Sequence, residues 1–367
     1  MPEFLHNHQV YYYALILLLS LLISWQAIPS ILHVARTRHL YDDLGHFRKQ
    51  HDHGIPRLGG IAIFVSFVIT LLLFCVTGKQ LSVNYLLTAC VILFAMGLKD
   101  DLSGVNPSTK FFVQFVVSAI LVIPGDIRLT SMYGVLGVHA MPYSISVIFS
   151  ILTVMLIVNA FNLIDGIDGL AATTGIIANS AFATLFIYTH QYELASVCLA
   201  LVGALIGFLR YNLTPAKIFM GDTGSLLIGL VTVVMAIKFI ESGKIIDGAV
   251  PHVYAIPALS IAILIGPIFD TFRIISIRIL NKRSPFRADR NHIHHRILRL
   301  GFNHMQTTAL LAAVNIISIA LAIMFSGFGS TVMIIVIAVS SLLFNWTITF
   351  CIRCKERERI SALYLLS

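Results

Sequence analysis

The chain has 367 residues, 57% of them hydrophobic and 11% charged, with a formal net charge of +8 at pH 7. A water-soluble domain needs far more charge on its surface, so this balance, with a mean hydropathy of +0.89, excludes a soluble enzyme. The apolar runs are continuous rather than short and alternating, which excludes a barrel and predicts an all-α polytopic membrane protein.

Eleven apolar runs are legible in chain order: 11–32, 59–76, 83–98, 111–123, 143–158, 170–188, 194–209, 226–240, 254–275, 307–325 and 331–352. They predict a single integral membrane domain over 1–367 with ten or eleven transmembrane helices. The first run lacks a basic flank before it and a small-residue cleavage site after it, so it reads as a retained span. Cys75, Cys90 and Cys198 lie inside apolar runs as small hydrophobes. Cys351 and Cys354 form a lone C-x-x-C with no second pair.

Eleven spans divide the connecting segments into two alternating sets. Of the 25 Lys and Arg residues, only Lys79, Arg128, Lys238 and Lys244 fall on one set. Cytoplasmic loops carry the excess of positive charge, so the other set is expected in the cytoplasm and the N-terminus outside. Most Asp and Glu residues fall on that same set, so any chemistry is expected on the cytoplasmic face.

The cytoplasmic segments carry five clusters. The first has Arg48, Lys49 and His51, then Pro56-Arg57-Leu58-Gly59-Gly60 at a helix entrance. Paired glycines let backbone approach a ligand, and Arg57 suits a phosphate. The second begins Lys99-Asp100-Asp101, with Lys110 beyond it. Adjacent carboxylates need a proton or a cation to coexist.

The third, 159–170, reads NAFNLIDGIDGL and holds Asn159, Asn162, Asp165 and Asp168. Carboxylates this dense are costly near lipid and point to a site; a polar turn is the plainer reading. The fourth carries Asn212, then Phe219-Met220-Gly221-Asp222-Thr223-Gly224-Ser225, where Phe219 can stack on a nucleobase or anchor in lipid. The fifth, 273–306, is a basic loop or amphipathic helix with Arg287, Arg290 and the run His292-Ile293-His294-His295-Arg296. H-x-H-H could bind zinc, but the surrounding arginines suit an anion better. A helix lying on anionic lipid is the structural alternative.

Taken together, R-K-x-H, P-R-L-G-G, D-D with its following lysine, N-x-x-D-G-x-D-G, F-M-G-D-x-G-S and H-x-H-H resemble the polyprenyl-phosphate N-acetylhexosamine-1-phosphate transferases (glycosyltransferase family 4). The resemblance spans nearly the whole chain and is nearest to the branch using undecaprenyl phosphate and UDP-GlcNAc. It implies transfer of a sugar-1-phosphate from a UDP-sugar to a polyprenyl phosphate, with release of UMP, in the cytoplasmic membrane.

The resemblance further implies Mg²⁺, with Mn²⁺ as a substitute, held by Asp222 and Asn162. It assigns catalytic roles to Asp100 as candidate base, Asp101, Asp165 and Lys110. Substrate contacts fall to Asp168, Asn212, Phe219, Arg57, Arg287, Arg290, His292, His294 and His295. Expected partners are the UDP-sugar, the lipid acceptor, the membrane and a second copy in a homodimer, with no nucleic acid. One departure is visible: Asp42-Asp43-Leu44 lacks the proline that relatives often carry there.

Direct attack by the lipid phosphate on the β-phosphorus and a two-step route through Asp165 both fit the sequence. The sister activity on a muramoyl-pentapeptide donor is the alternative enzyme. A secondary transporter is the alternative class, although transporters place their sites near the bilayer midplane and these clusters lie at helix ends.

Overall fold

The computed structural model describes residues 9–40, 54–75, 81–246, 255–282 and 291–366. The chain divides into two compact units, Met1–Pro251 and His252–Ser367. All regular elements among the described residues are helical apart from one isolated bridge between Ser131 and Ala140.

The first unit holds α1 (Gln9–Thr37), α2 (Gly59–Phe74), α3 (Val83–Ser103), α4 (Pro107–Val122), α5 (Tyr143–Ile164), α6 (Leu170–Tyr188), α7 (Tyr192–Asn212) and α8 (Gly221–Ile246). α8 is apolar on every face, the pattern of a helix surrounded by protein. Its membrane-length window is 89% buried, and α2, α3, α5 and α6 pack around it. Lipid supplies no hydrophobic drive between helices, so small and polar residues carry the close contacts. A Cβ at Gly203 on α7 would stand 2.3 Å from the Leu17 carbonyl of α1. Ser20 donates to the Ala200 carbonyl at 2.6 Å, and Asn179 of α6 donates to Thr232 of α8 at 2.8 Å.

The second unit holds α9 (Ile256–Ile263), α10 (Ile265–Leu280), α11 (Ile293–Arg299), α12 (His304–Met324) and α13 (Ser330–Leu366). The run 254–275, expected as one span, is broken: α9 and α10 meet at 77°. Pro267 has no N–H for the Ile263 carbonyl, and Asn315 of α12 donates to that carbonyl at 3.3 Å. The expected amphipathic helix of the basic loop is the seven-residue α11. Its Ile293 and Ile297 bury against Ile348, Phe344, Leu310 and Phe269 of the same unit rather than lying on a lipid surface.

Among the described residues seven helices are long and apolar enough to cross a membrane, or eight if the bent pair is one span. α2 and α4 are apolar but have 16 residues each, and α3 carries a charged end. Three boundaries differ from the sequence reading in a way that bears on the site. α3 continues past Leu98 to Ser103, α5 past Val158 to Ile164, and α8 begins at Gly221. Asp100, Asp101, Asn162 and Asp222 therefore sit on helix turns rather than in loops. Away from water, a helix keeps its backbone hydrogen bonds satisfied, so it continues through polar residues where loops would not.

Candidate active site

The site of the first unit is built on the start of α8. Gly221 has φ of +73°, the left-handed region that favours glycine, and turns the chain into the helix. A Cβ there would stand 2.6 Å from both Asp101 carboxylate oxygens and from the Arg57 carbonyl. The entrance of α2 lies against the same turn. Gly59 and Gly60 donate to the Phe219 and Met220 carbonyls at 3.0 and 2.9 Å, and the Phe219 amide donates to the Pro56 carbonyl at 2.9 Å. A side chain at Gly60 would meet the Gly224 amide nitrogen at 2.2 Å, so P-R-L-G-G and F-M-G-D-x-G-S form one interlocked corner.

The first amides of α8 have no partner within the helix, and carboxylates from elsewhere take them. Asp101 Oδ1 accepts the Asp222 amide at 2.8 Å. Its Oδ2 accepts the Thr223 amide at 3.0 Å and the Thr223 hydroxyl at 2.5 Å. The Gly221 amide and the Arg57 guanidinium lie toward Asp165 and favour its charged form. Burial pushes Asp101 up to about 6 despite these donors. Burial, and then Asp222 and Asp101, hold Asp165 well above the ordinary carboxylate range, although its rim reaches solvent.

Lys110 supplies the positive charge. Its Nζ is 2.6 Å from Asp100 Oδ2 and 2.8 Å from Asp222 Oδ2, and all three side chains are partly exposed. Asp100 Oδ1 accepts the Val105 amide at 2.7 Å. Asn162 donates to Asp222 Oδ1 at 2.9 Å and to Ser225 Oγ at 3.1 Å. Ser225 spends its own proton on the Gly221 carbonyl, which fixes which end of the Asn162 amide faces it. A cleft of about 380 Å³ opens beside the cluster, lined by His39, Arg57, Asp100, Asp101 and Ser103 among others.

Asp100, Asp101 and Asp222 each offer an oxygen, and these oxygens lie within 4.8 Å of one another. Hard oxygen donors at this spacing suit Mg²⁺, which is bound through one or two carboxylates plus substrate phosphates. Asp222 would hold it with Asp100 beside it, while Asp101 stays bonded to three donors at the start of α8. Asn162, expected as a ligand, donates through its amide nitrogen to Asp222.

Asn212 is buried and joins two segments, accepting the Gly169 amide and donating to the Ile218 carbonyl, each at 2.9 Å. Phe219 is half-buried beside that tie, and Asp168 is partly exposed. Asn159 pairs with Gln114 across α4 and α5. The contributions of Thr223, Ser225 and the Gly221 amide were not foreseen. The Thr and Ser beside a glycine-framed aspartate were the available signal.

The histidines belong to the second unit. His292 and His294 are buried with rings stacked at 5.6 Å, and His295 is half-buried. Burial, and then His295, lower His294 to about 3, so it is neutral, and its Nε2 has no hydrogen-bond partner among the described residues. Arg296, expected among the anion-gripping arginines, turns inward instead and donates to Asn345 and, at 2.6 Å, to Thr349 of α13. The helical repeat of α11 places it on the face shared with Ile293 and Ile297. Arg287, Arg290, Arg48, Lys49, His51 and Asp42-Asp43 lie outside the described residues.

Residues 82–240 match glycosyl transferase family 4. The chain is 32% identical over 277 residues to a probable undecaprenyl-phosphate N-acetylglucosaminyl 1-phosphate transferase of Bacillus subtilis, covering 74% of this chain and 73% of the relative. It is 30% identical over 333 residues to the undecaprenyl-phosphate alpha-N-acetylglucosaminyl 1-phosphate transferase of Escherichia coli O157:H7, covering 86% and 88%. A decaprenyl-phosphate N-acetylglucosaminephosphotransferase of Mycolicibacterium smegmatis is 32% identical over 321 residues, covering 80% and 77%. The family match falls on the helices that carry the carboxylate cluster, and with these relatives aligned over most of their length the chain belongs to glycosyl transferase family 4.

Proposed function

We propose that the chain transfers N-acetylglucosamine-1-phosphate from UDP-N-acetylglucosamine to a polyprenyl phosphate, releasing UMP, in the cytoplasmic membrane of its cell. The observation that carries this reading is the Lys110 bridge between Asp100 and Asp222 at the start of α8. It gathers oxygen donors and one ammonium at helix ends, where a lipid phosphate and a nucleotide diphosphate can meet. The names of the relatives supply the sugar and the class of lipid. The Lys/Arg asymmetry supports eleven crossings with the site in the cytoplasm.

Mg²⁺ held by Asp222 would supply charge neutralisation for the donor diphosphate. In a direct transfer, an oxygen of the lipid phosphate bonds to the β-phosphorus. The bond from that phosphorus to the oxygen bridging it to the α-phosphate breaks, and UMP departs. Asp100 takes the acceptor's proton when the lipid phosphate arrives protonated. Lys110 balances the charge that builds on the departing UMP. Asp101 is bonded to the first amides of α8 and serves to hold it. Within the second unit, His292, His294 and His295 are assigned to the sugar phosphate; within the first, Arg57 is assigned to phosphate and Phe219, Asp168 and Asn212 to the nucleoside.

Incubating the purified protein with polyprenyl phosphate, Mg²⁺ and each of three donors tests this. UDP-N-acetylglucosamine should give a sugar-bearing lipid and UMP in equal amounts. Turnover confined to UDP-N-acetylgalactosamine or UDP-muramoyl-pentapeptide would overturn the sugar assignment. Unmodified donor accumulating inside vesicles would overturn the enzyme reading.

A further inference from the structure

The second unit holds a buried polar network around His292. Asp270 of α10 is 3% exposed and divides its oxygens between two partners. Oδ2 is 2.8 Å from His292 Nδ1, and Oδ1 accepts the Ile293 amide at 3.0 Å. Arg273, one turn further along α10, approaches Asp270 at 3.6 Å and donates to the Asn291 carbonyl at 2.9 and 2.6 Å. Its Nε donates to Asn345 of α13 at 3.0 Å. The Asn291 carbonyl and the Ile293 amide belong to the two peptide groups flanking His292. That residue is thus anchored on both sides of its backbone and at its ring.

Burying an ion-pair network costs several kcal/mol of desolvation per charge, and well-packed apolar residues would hold two helices together as well. What apolar residues cannot do is fix an imidazole. A carboxylate on Nδ1 selects the Nδ1–H tautomer and sets the ring plane, which leaves Nε2 as the only ring nitrogen able to meet a ligand. α11 begins at the next residue and spans seven residues, too few to hold its own start without such anchors.

We propose that Asp270 is a positioning residue of the transfer reaction, holding His292 in the Nδ1–H form with Nε2 reserved for the substrate. The inference rests on the reading that His292 meets the sugar phosphate. Arg273 completes the device by fixing the preceding peptide group.

Three measurements test it. In the unsubstituted protein carrying ¹⁵N-labelled histidine, the His292 ring should be protonated at Nδ1; a neutral ring protonated only at Nε2 overturns the proposal whatever the variants do. Asp270→Asn keeps the shape but offers a single oxygen for two donors. It should lower kcat about 10- to 100-fold with KM for the donor within about twofold, and displace His292 from the Nδ1–H form. In a His292→Gln background the same change should cost almost nothing more, because Asp270 then has no ring to position. An equal cost in both backgrounds would mean that Asp270 only holds the fold, and an undiminished kcat in Asp270→Asn would also overturn it. Full turnover by His292→Gln removes the substrate role of His292 and the proposal with it. Slow His292→Gln beside fast Asp270→Asn removes the positioning role alone.

Discussion

Asp101, on the last turn of α3, accepts the backbone amide of Asp222, on the first turn of α8, at 2.8 Å. The two carboxylates therefore do different work despite their proximity. Asp101 faces the positive end of α8 and fixes its start, and that start carries Asp222 to the Lys110 ammonium.

This arrangement gives stability a defined pH dependence. Burial raises Asp101 to about 6 from its ordinary 3.8. The folded protein then binds this proton more tightly than the unfolded chain between those values. Its contribution to stability is greatest at low pH and declines as pH rises from about 4 through 6. Asp101→Asn, in divalent-free detergent solution, should remove that decline. A thermal-unfolding series over this pH range checks it, and an unchanged slope would contradict it.

Gly221→Ala places a methyl group 2.6 Å from the Asp101 oxygens at a φ of +73°. Strain of about 1–3 kcal/mol is expected, relieved by moving the start of α8. Turnover should fall together with the affinity for Mn²⁺ read by electron paramagnetic resonance. Loss of turnover with unchanged Mn²⁺ binding would separate Gly221 from the metal-holding geometry.

Lys110→Met removes the ammonium that Asp100 and Asp222 share but leaves both carboxylates in place. Turnover should fall by about 10²–10³-fold, the usual cost of losing one charge-stabilising donor. Mn²⁺ affinity should hold or rise, because the carboxylates lose a competing cation. A collapse of Mn²⁺ binding would contradict the assignment of Lys110 to the phosphates.

Away from the site, Gly203→Leu forces α1 from α7, since even a Cβ would stand 2.3 Å from the Leu17 carbonyl. Overpacking of this kind costs about 1–3 kcal/mol. The melting temperature should drop, while the KM of the surviving folded fraction stays unchanged.

The motifs were legible because chemistry requires particular side chains at helix ends. The motifs alone single out Asp100, Asp101, Lys110, Asn162, Asp165 and Asp222, and the structure brings them to one corner. Their division of labour was not legible. Whether Asp101 binds a cation or caps a helix depends on where the amides of residues 222 and 223 point, and that follows from the turn at Gly221. The helix ends lie beyond the apolar runs for a related reason: α3 and α5 continue through Asp100 and Asn162 because backbone pairing outlasts the apolar pattern. The bend between α9 and α10 follows from Pro267, but the Asn315 contact that supports it comes from a distant helix with no local signal. Likewise, nothing in H-x-H-H announces that Asp270 and Arg273, on the preceding helix, hold its first histidine.

The proposed reaction moves a sugar-1-phosphate rather than a sugar alone. UDP-N-acetylglucosamine labelled with ³²P at the β-phosphate tests it most directly, with the wild-type protein, polyprenyl phosphate and Mg²⁺. The ³²P should appear in the extractable lipid and unlabelled UMP in the water phase, with no labelled lipid from Asp222→Ala. Recovery of the ³²P as UDP, or labelling of the lipid by Asp222→Ala at a comparable rate, would contradict it.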